Sequence, residues 1–176
     1  NKANESDSIP PPVIRKIPDF NLTNYDGKSF GRDSLVNKIS VIDFIFTSCP
    51  GPCPIMSKNM KELYKQYELH PDLQFISISV DPDYDNLEVL NAYAHANGVI
   101  DKRWKFLRGE MEDIKNISTN GFLFMSENLP AGHSVKFVLV DNNANIRQYY
   151  DGTDKASISI LRKHLNIFLK NMNHKL

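Results

Sequence analysis

The chain has 176 residues, 41% hydrophobic and 24% charged, a globular balance that excludes wholesale disorder, collagen-like repeats and coiled coil. Lys and Arg together number 21, as do Asp and Glu, so no excess charge favours wrapping nucleic acid. No apolar run approaches the ~18–20 residues that cross a bilayer, and two cysteines are too few for a disulfide scaffold.

Residues 1–17 carry Asn4, Ser6, Ser8 and the run Pro10-Pro11-Pro12 with few apolar side chains, the composition of a flexible tether. Residues 18–176 read as one domain. Asp19 to Thr23 alternates like a half-buried strand, and Tyr25 to Lys28 supplies a turn. Ile39 to Phe46 (ISVIDFIF) is a near-continuous apolar run, the pattern of a strand covered on both faces. Asp43 interrupts it, and an acid there needs a partner or a view of solvent.

Pro54 suits a helix start, and Met56, Met60, Leu63 and Tyr67 mark one helical face to about Glu68. Core packing is the reading of both methionines, although their sulfurs are soft potential ligands. Leu73 to Val80 alternates as a second strand. Asp85-Asn86-Leu87-Glu88 predicts a helix capped by Asp85 and ending at Gly98. Trp104 to Leu107 predicts a short strand, Glu110 to Ile117 a short helix, and Val135 to Val140 a strong strand. Asp141 to Asn143 turns into Ile146 to Tyr150, completing a hairpin. Ile158, Leu161, Leu165, Phe168 and Met172 mark a C-terminal amphipathic helix. A βαβ half followed by a ββα half predicts a thioredoxin-like α/β fold. Its central mixed sheet is flanked by helices, with an N-terminal β extension and a helical insertion.

The chemistry concentrates in Thr47-Ser48-Cys49-Pro50-Gly51-Pro52-Cys53-Pro54, where the central strand turns into a helix and open α/β sheets bind ligands. The prolines and glycine restrict the loop and place both sulfurs within bridging or chelating reach. The helix N-terminus predicts thiolate character for Cys53. Two soft thiolates suit Cu(I) or Zn(II), but two ligands rarely fill a site, so a third is needed. Of the five histidines, His70 falls in the loop after the first helix, at the end away from the cysteines, and His95, His164 and His174 fall on or after helical stretches and predict surface positions. His133 directly precedes the strong strand 135–140, in the loop that faces the cysteine loop in a thioredoxin-like sheet. Asp81, at a strand end before Pro82, is a candidate for orienting the site from behind the ligands. An inert structural pair of cysteines is the alternative to all of this.

The chain resembles the Sco/SenC family of copper-binding thioredoxin-fold proteins. Phe46 to Pro54 matches that family's aromatic-Thr-x-Cys-Pro-x-x-Cys-Pro segment, and Ile76 to Pro82 with Asp85 is similar to its ISVDPxxD block. Phe106 to Gly109, His133 with Phe137 to Asp141, and Tyr150-Asp151-Gly152 continue the likeness, with Ser134 in place of the family's usual threonine. The resemblance implies that Cys49, Cys53 and His133 bind copper, as Cu(I) with Cu(II) as an alternative. It also implies delivery to the binuclear copper site of cytochrome c oxidase. Subunit II or a similar acceptor and other copper carriers are the expected partners. The alternative is a thiol–disulfide oxidoreductase in which Cys49 attacks and Cys53 resolves. Either role belongs outside the cytosol, in a periplasm or mitochondrial intermembrane space, with the chain held to a membrane through a segment absent from this sequence.

Overall fold

The computed structural model describes residues 9–173. In chain order these form β1 (Arg15–Lys16), β2 (Asn21–Asn24), β3 (Ser29–Gly31), β4 (Ile39–Ile45), α1 (Cys53–Gln66) and β5 (Leu73–Ser79). There follow α2 (Leu87–Ala96), β6 (Trp104–Arg108), α3 (Met111–Asn116), β7 (Lys136–Val140), β8 (Asn145–Asp151) and α4 (Lys155–Asn173). All eight strands join one sheet in the order β1-β8-β7-β4-β5-β6-β2-β3. The centre, β4–β5–β6, is parallel, and every other pairing is antiparallel. This is the thioredoxin-like mixed sheet the element order predicts.

β4 and β5 are buried at every position, as apolar runs covered on both faces must be. Alternation along β4 sends Ile39 and Val41 into a cluster with Met56, Met60 and Leu63 of α1, Leu90 of α2 and Leu161 and Leu165 of α4. Ile42 and Phe44 point the other way, into a cluster with Ile17, Ile114 of α3, and Ile117 and Phe122 beyond it. Met56 and Met60 are fully buried, so they are core.

Three local features depart from the sequence reading. The strand expected at Asp19–Thr23 is one arm of a hairpin, β2–β3, whose turn uses Gly27 at φ 84°. The short helix after Gly109 runs on as a π-helical turn over Ile117–Gly121. The expected tether, 1–17, lies outside the described residues over its first eight positions. Further on, Ile14 and Ile17 donate backbone hydrogen bonds to Ile146 and Ala144, and Ile17 is fully buried. Chain that is polar in composition thus becomes the edge of the sheet at Arg15–Lys16.

Candidate metal centre

β4 delivers the chain to Cys49, and α1 begins at Cys53, so both cysteines sit at the C-terminal end of the central parallel strand. The loop before β7 brings His133 over them. One ligand atom from each of Cys49, Cys53 and His133 lies within 4.8 Å of the others. Cys53 Sγ and His133 Nε2 are 3.1 Å apart. Both cysteines are thiols here, Cys49 half-buried and Cys53 fully buried.

The imidazole is held from two sides. His133 Nδ1 lies 2.9 Å from the Ser134 carbonyl, which can only accept, so Nδ1 carries the proton. Nε2 therefore turns its lone pair toward the sulfurs, the form a soft metal ion requires. Phe46 packs edge-on against the ring, centroids 5.5 Å apart at 89°. Burial also pushes the His133 pKa below its ordinary value, which favours the neutral, ligating ring.

The expected thiolate at Cys53 is not what the structure shows. Burial first, then the neighbouring Cys49, pushes the Cys53 thiol up to about 12. Desolvation of a buried anion outweighs the favourable field of the helix N-terminus, even though Cys53 stands in the first turn of α1. Metal binding at Cys53 must therefore displace a proton.

Asp85 is the residue the sequence pattern misplaced. Asn86, not Asp85, caps α2, its Oδ1 accepting from the Val89 amide at 2.9 Å. Asp85 is fully buried and faces the cysteine loop instead. Its carboxylate accepts from the Thr47 amide at 3.1 Å, from the Thr47 hydroxyl, and from Ser79 Oγ at 2.7 Å. Arg108 on β6 clamps the same turn through the carbonyls of Asp85 and Pro82, both at 3.2 Å. The loop's approach to Cys49 is thus tied to β5, α2 and β6 at once. Asp85→Asn, which exchanges an all-acceptor group for one that must also donate, is expected to lower stability by about 1–2 kcal/mol. Urea melts of parent and variant check this, and coincident midpoints would mean the network contributes nothing.

Asp81 donates its amide to Ser79 Oγ, and its carbonyl accepts from the Tyr84 and Asp85 amides. Burial, and then Asp85, raises its carboxyl above the usual range. It shapes the turn, and Asp85 is the acid that reaches the loop. Among the other histidines, His95 is exposed, His174 lies outside the described residues, and His164 is not the surface residue its helix suggested: its Nδ1 is 2.6 Å from Tyr150 Oη.

Asp43, the acid inside β4, has neither a hydrogen-bond partner for its carboxylate oxygens nor a view of solvent. Alternation places it on the face that carries α1, and burial pushes it up to about 7. Ser77 lies opposite on β5 and softens the shift; its Oγ accepts from Trp104 Nε1 at 3.1 Å, which leaves the hydroxyl hydrogen free to donate.

With this geometry in view, a family model described as SCO1/SenC matches residues 11–167. A SCO1 protein homolog from Bacillus subtilis is 29% identical over 155 residues, which are 84% of this chain and 80% of that protein. The crystal structure of a SCO1/SenC family lipoprotein from Bacillus anthracis superposes with a TM-score of 0.77 at 33% identity, covering 91% of this chain and 94% of that one. BsSco, described as a member of the Sco family of cytochrome c oxidase assembly proteins with a disulfide switch, gives a TM-score of 0.75 at 26% identity. That match covers 89% of this chain and 98% of the other.

Proposed function

The chain belongs to the SCO1/SenC family, and from that premise we propose that it carries one Cu(I) on Cys49, Cys53 and His133. It passes the ion to a copper acceptor during cytochrome c oxidase assembly, subunit II being the acceptor expected. The observation that carries this reading is the convergence of two thiols and a correctly oriented imidazole nitrogen within 4.8 Å. Sulfur and imidazole donors suit Cu(I) and suit hard cations poorly. Three protein ligands leave the ion open to an incoming thiol or imidazole, so transfer proceeds by ligand exchange. Cys49, the more exposed sulfur, is the one an acceptor reaches first.

The proximity of the two sulfurs favours a second reading, thiol–disulfide exchange on the acceptor. Cys49 as thiolate attacks the acceptor disulfide and releases one acceptor thiolate. Cys53 then attacks the mixed disulfide, releasing the second and leaving Cys49–Cys53 oxidised. Both activities place the chain outside the cytosol, in a periplasm or intermembrane space, tethered through its N-terminal side. Among the described residues no helix is long and apolar enough to cross a membrane.

Anaerobic loading of the reduced chain, followed by competition with a Cu(I) chelator, separates the two. One retained copper per chain, with little turnover in an insulin reduction assay, is expected. Steady reduction of disulfides by a chain that retains no copper would replace the carrier with the reductase.

A further inference from the structure

At the opposite end of the parallel strands from the cysteines, the start of β4, β5 and β6 and the β2–β3 turn enclose a cavity of about 320 Å³. β4 and β5 are in register from Ile39↔Leu73 to Ile45↔Ser79, so this cavity and the metal centre are separated by strands roughly 20 Å long. Tyr25, Phe30 and Trp104 give it aromatic walls. Four lysines, Lys28, Lys38, Lys102 and Lys105, line it against a single carboxylate, Asp26, one of whose oxygens is already taken by the Lys28 amide.

The lysines are a costly arrangement in the absence of a counter-ion. Among the described residues, none of the four ion-pairs with a carboxylate; the nearby Asp101 is paired with Arg103 instead. Lys38 and Lys105, the two half-buried ones, are each held by a neutral backbone carbonyl, of Pro71 and Lys102 respectively. Burial, followed by repulsion from Lys38, pushes the Lys105 pKa down to about 8. A neighbouring anion would offset both, since opposite charge favours the charged form of a half-buried lysine and lies between the cations that repel. A concave, largely apolar cleft with a few convergent polar groups is also the general form of a small-molecule site.

We infer that this cavity is a second binding site, distinct from the metal centre, for a small organic anion with a flat apolar body, such as an aryl phosphate. The lysines recognise the charged group and the aromatic walls take the ring. Each feature alone is common on protein surfaces. Their coincidence in one half-open cavity, with four lysines set against one lining carboxylate, is what points to a ligand.

Calorimetric titration of the reduced, copper-free chain with 1-naphthyl phosphate, inorganic phosphate and 1-naphthol tests this. 1-Naphthyl phosphate is expected to bind at least tenfold more tightly than either of the others. Lys38→Met and Lys105→Met, which keep the apolar stems, should each weaken it by about tenfold, and Lys155→Met on α4 should not change it. Far-UV circular dichroism confirms that the variants fold, and chelator competition should show parental Cu(I) retention in both. Equal binding of inorganic phosphate would reduce the site to a charged surface and overturn the inference. Absence of naphthyl phosphate binding at millimolar concentration would do so too, as would lysine variants indistinguishable from the parent.

Discussion

His133→Ala is expected to lose Cu(I) affinity by at least 10–100-fold, taking the loss of an outer partner of a ligand as the lower guide for loss of the ligand itself. The lone pair at Nε2, 3.1 Å from Cys53 Sγ, has no replacement in the loop. Cys53→Ser should lose more, since it removes a soft thiolate and leaves two donors where a stable site needs three or more. The two variants differ in a way that dissects the centre. In His133→Ala the Cys49–Cys53 disulfide still forms on oxidation, because it needs no imidazole; in Cys53→Ser it cannot. His133 is buried against Phe46, so its truncation also lowers the melting temperature by a few degrees, by analogy with small core deletions. Chelator competition, run beside thiol counting and thermal melts, reads all three quantities. Unchanged Cu(I) affinity in His133→Ala would remove the imidazole from the site and leave a simple dithiol.

The legible parts of the molecule are those where one physical rule acts alone. Ile39 to Ile45 is apolar enough that only a doubly covered strand accommodates it, and Met56, Met60 and Leu63 lie at spacings that only a helix brings to one face. The convergence of Cys49, Cys53 and His133 is legible because two soft sulfurs call for a third donor, and one histidine stands before the right strand. Where two rules compete, sequence reading failed. Asp85 and Asn86 are both good caps; the capping geometry goes to Asn86, while the carboxylate of Asp85 accepts from two donors of Thr47 and from Ser79. No local pattern announces those donors, which come from β4's exit and β5. Cys53 at a helix start reads as an acidic thiol, yet it is buried, and burial acts more strongly than the helix field. The edge strand Arg15–Lys16 is polar and pairs over two residues, too short to show a period. The lysine-lined cavity draws residues from positions 24 to 105, a juxtaposition only the sheet order creates.

Asp43→Asn is expected to make the reduced, metal-free chain more stable at pH 8, reversing the usual cost of changing a buried residue. The carboxyl is raised from 3.8 to about 7 by burial in β4, with no hydrogen-bond partner for either oxygen. For an acid shifted upward the linkage runs against stability. Below about pH 4 it is protonated in both folded and unfolded chains and contributes no difference. Between about 4 and 7 the unfolded chain ionises while the folded chain must keep its proton, so stability falls as pH rises and levels off above 7. At 1.36 kcal/mol per unit the full penalty is about 4 kcal/mol, and the amide's own unmet hydrogen bonds reduce the expected gain to about 2–3 kcal/mol. His133 works in the opposite direction: its lowered pKa costs stability as pH falls below 6.5, so a single pH profile would mix the two. The difference between parent and Asp43→Asn isolates the aspartate, because every other titration is common to both. That difference should stand at about 1 kcal/mol against the variant at pH 4, where the amide's unmet hydrogen bonds dominate, reverse sign toward neutrality and be flat by pH 8, where it raises the melting temperature by about 4–10 °C. Urea melts at pH 4, 6 and 8 measure it. A variant less stable than the parent at pH 8 would show that the folded chain holds Asp43 ionised and satisfied, and that its place beneath α1 is not the desolvated one its burial describes.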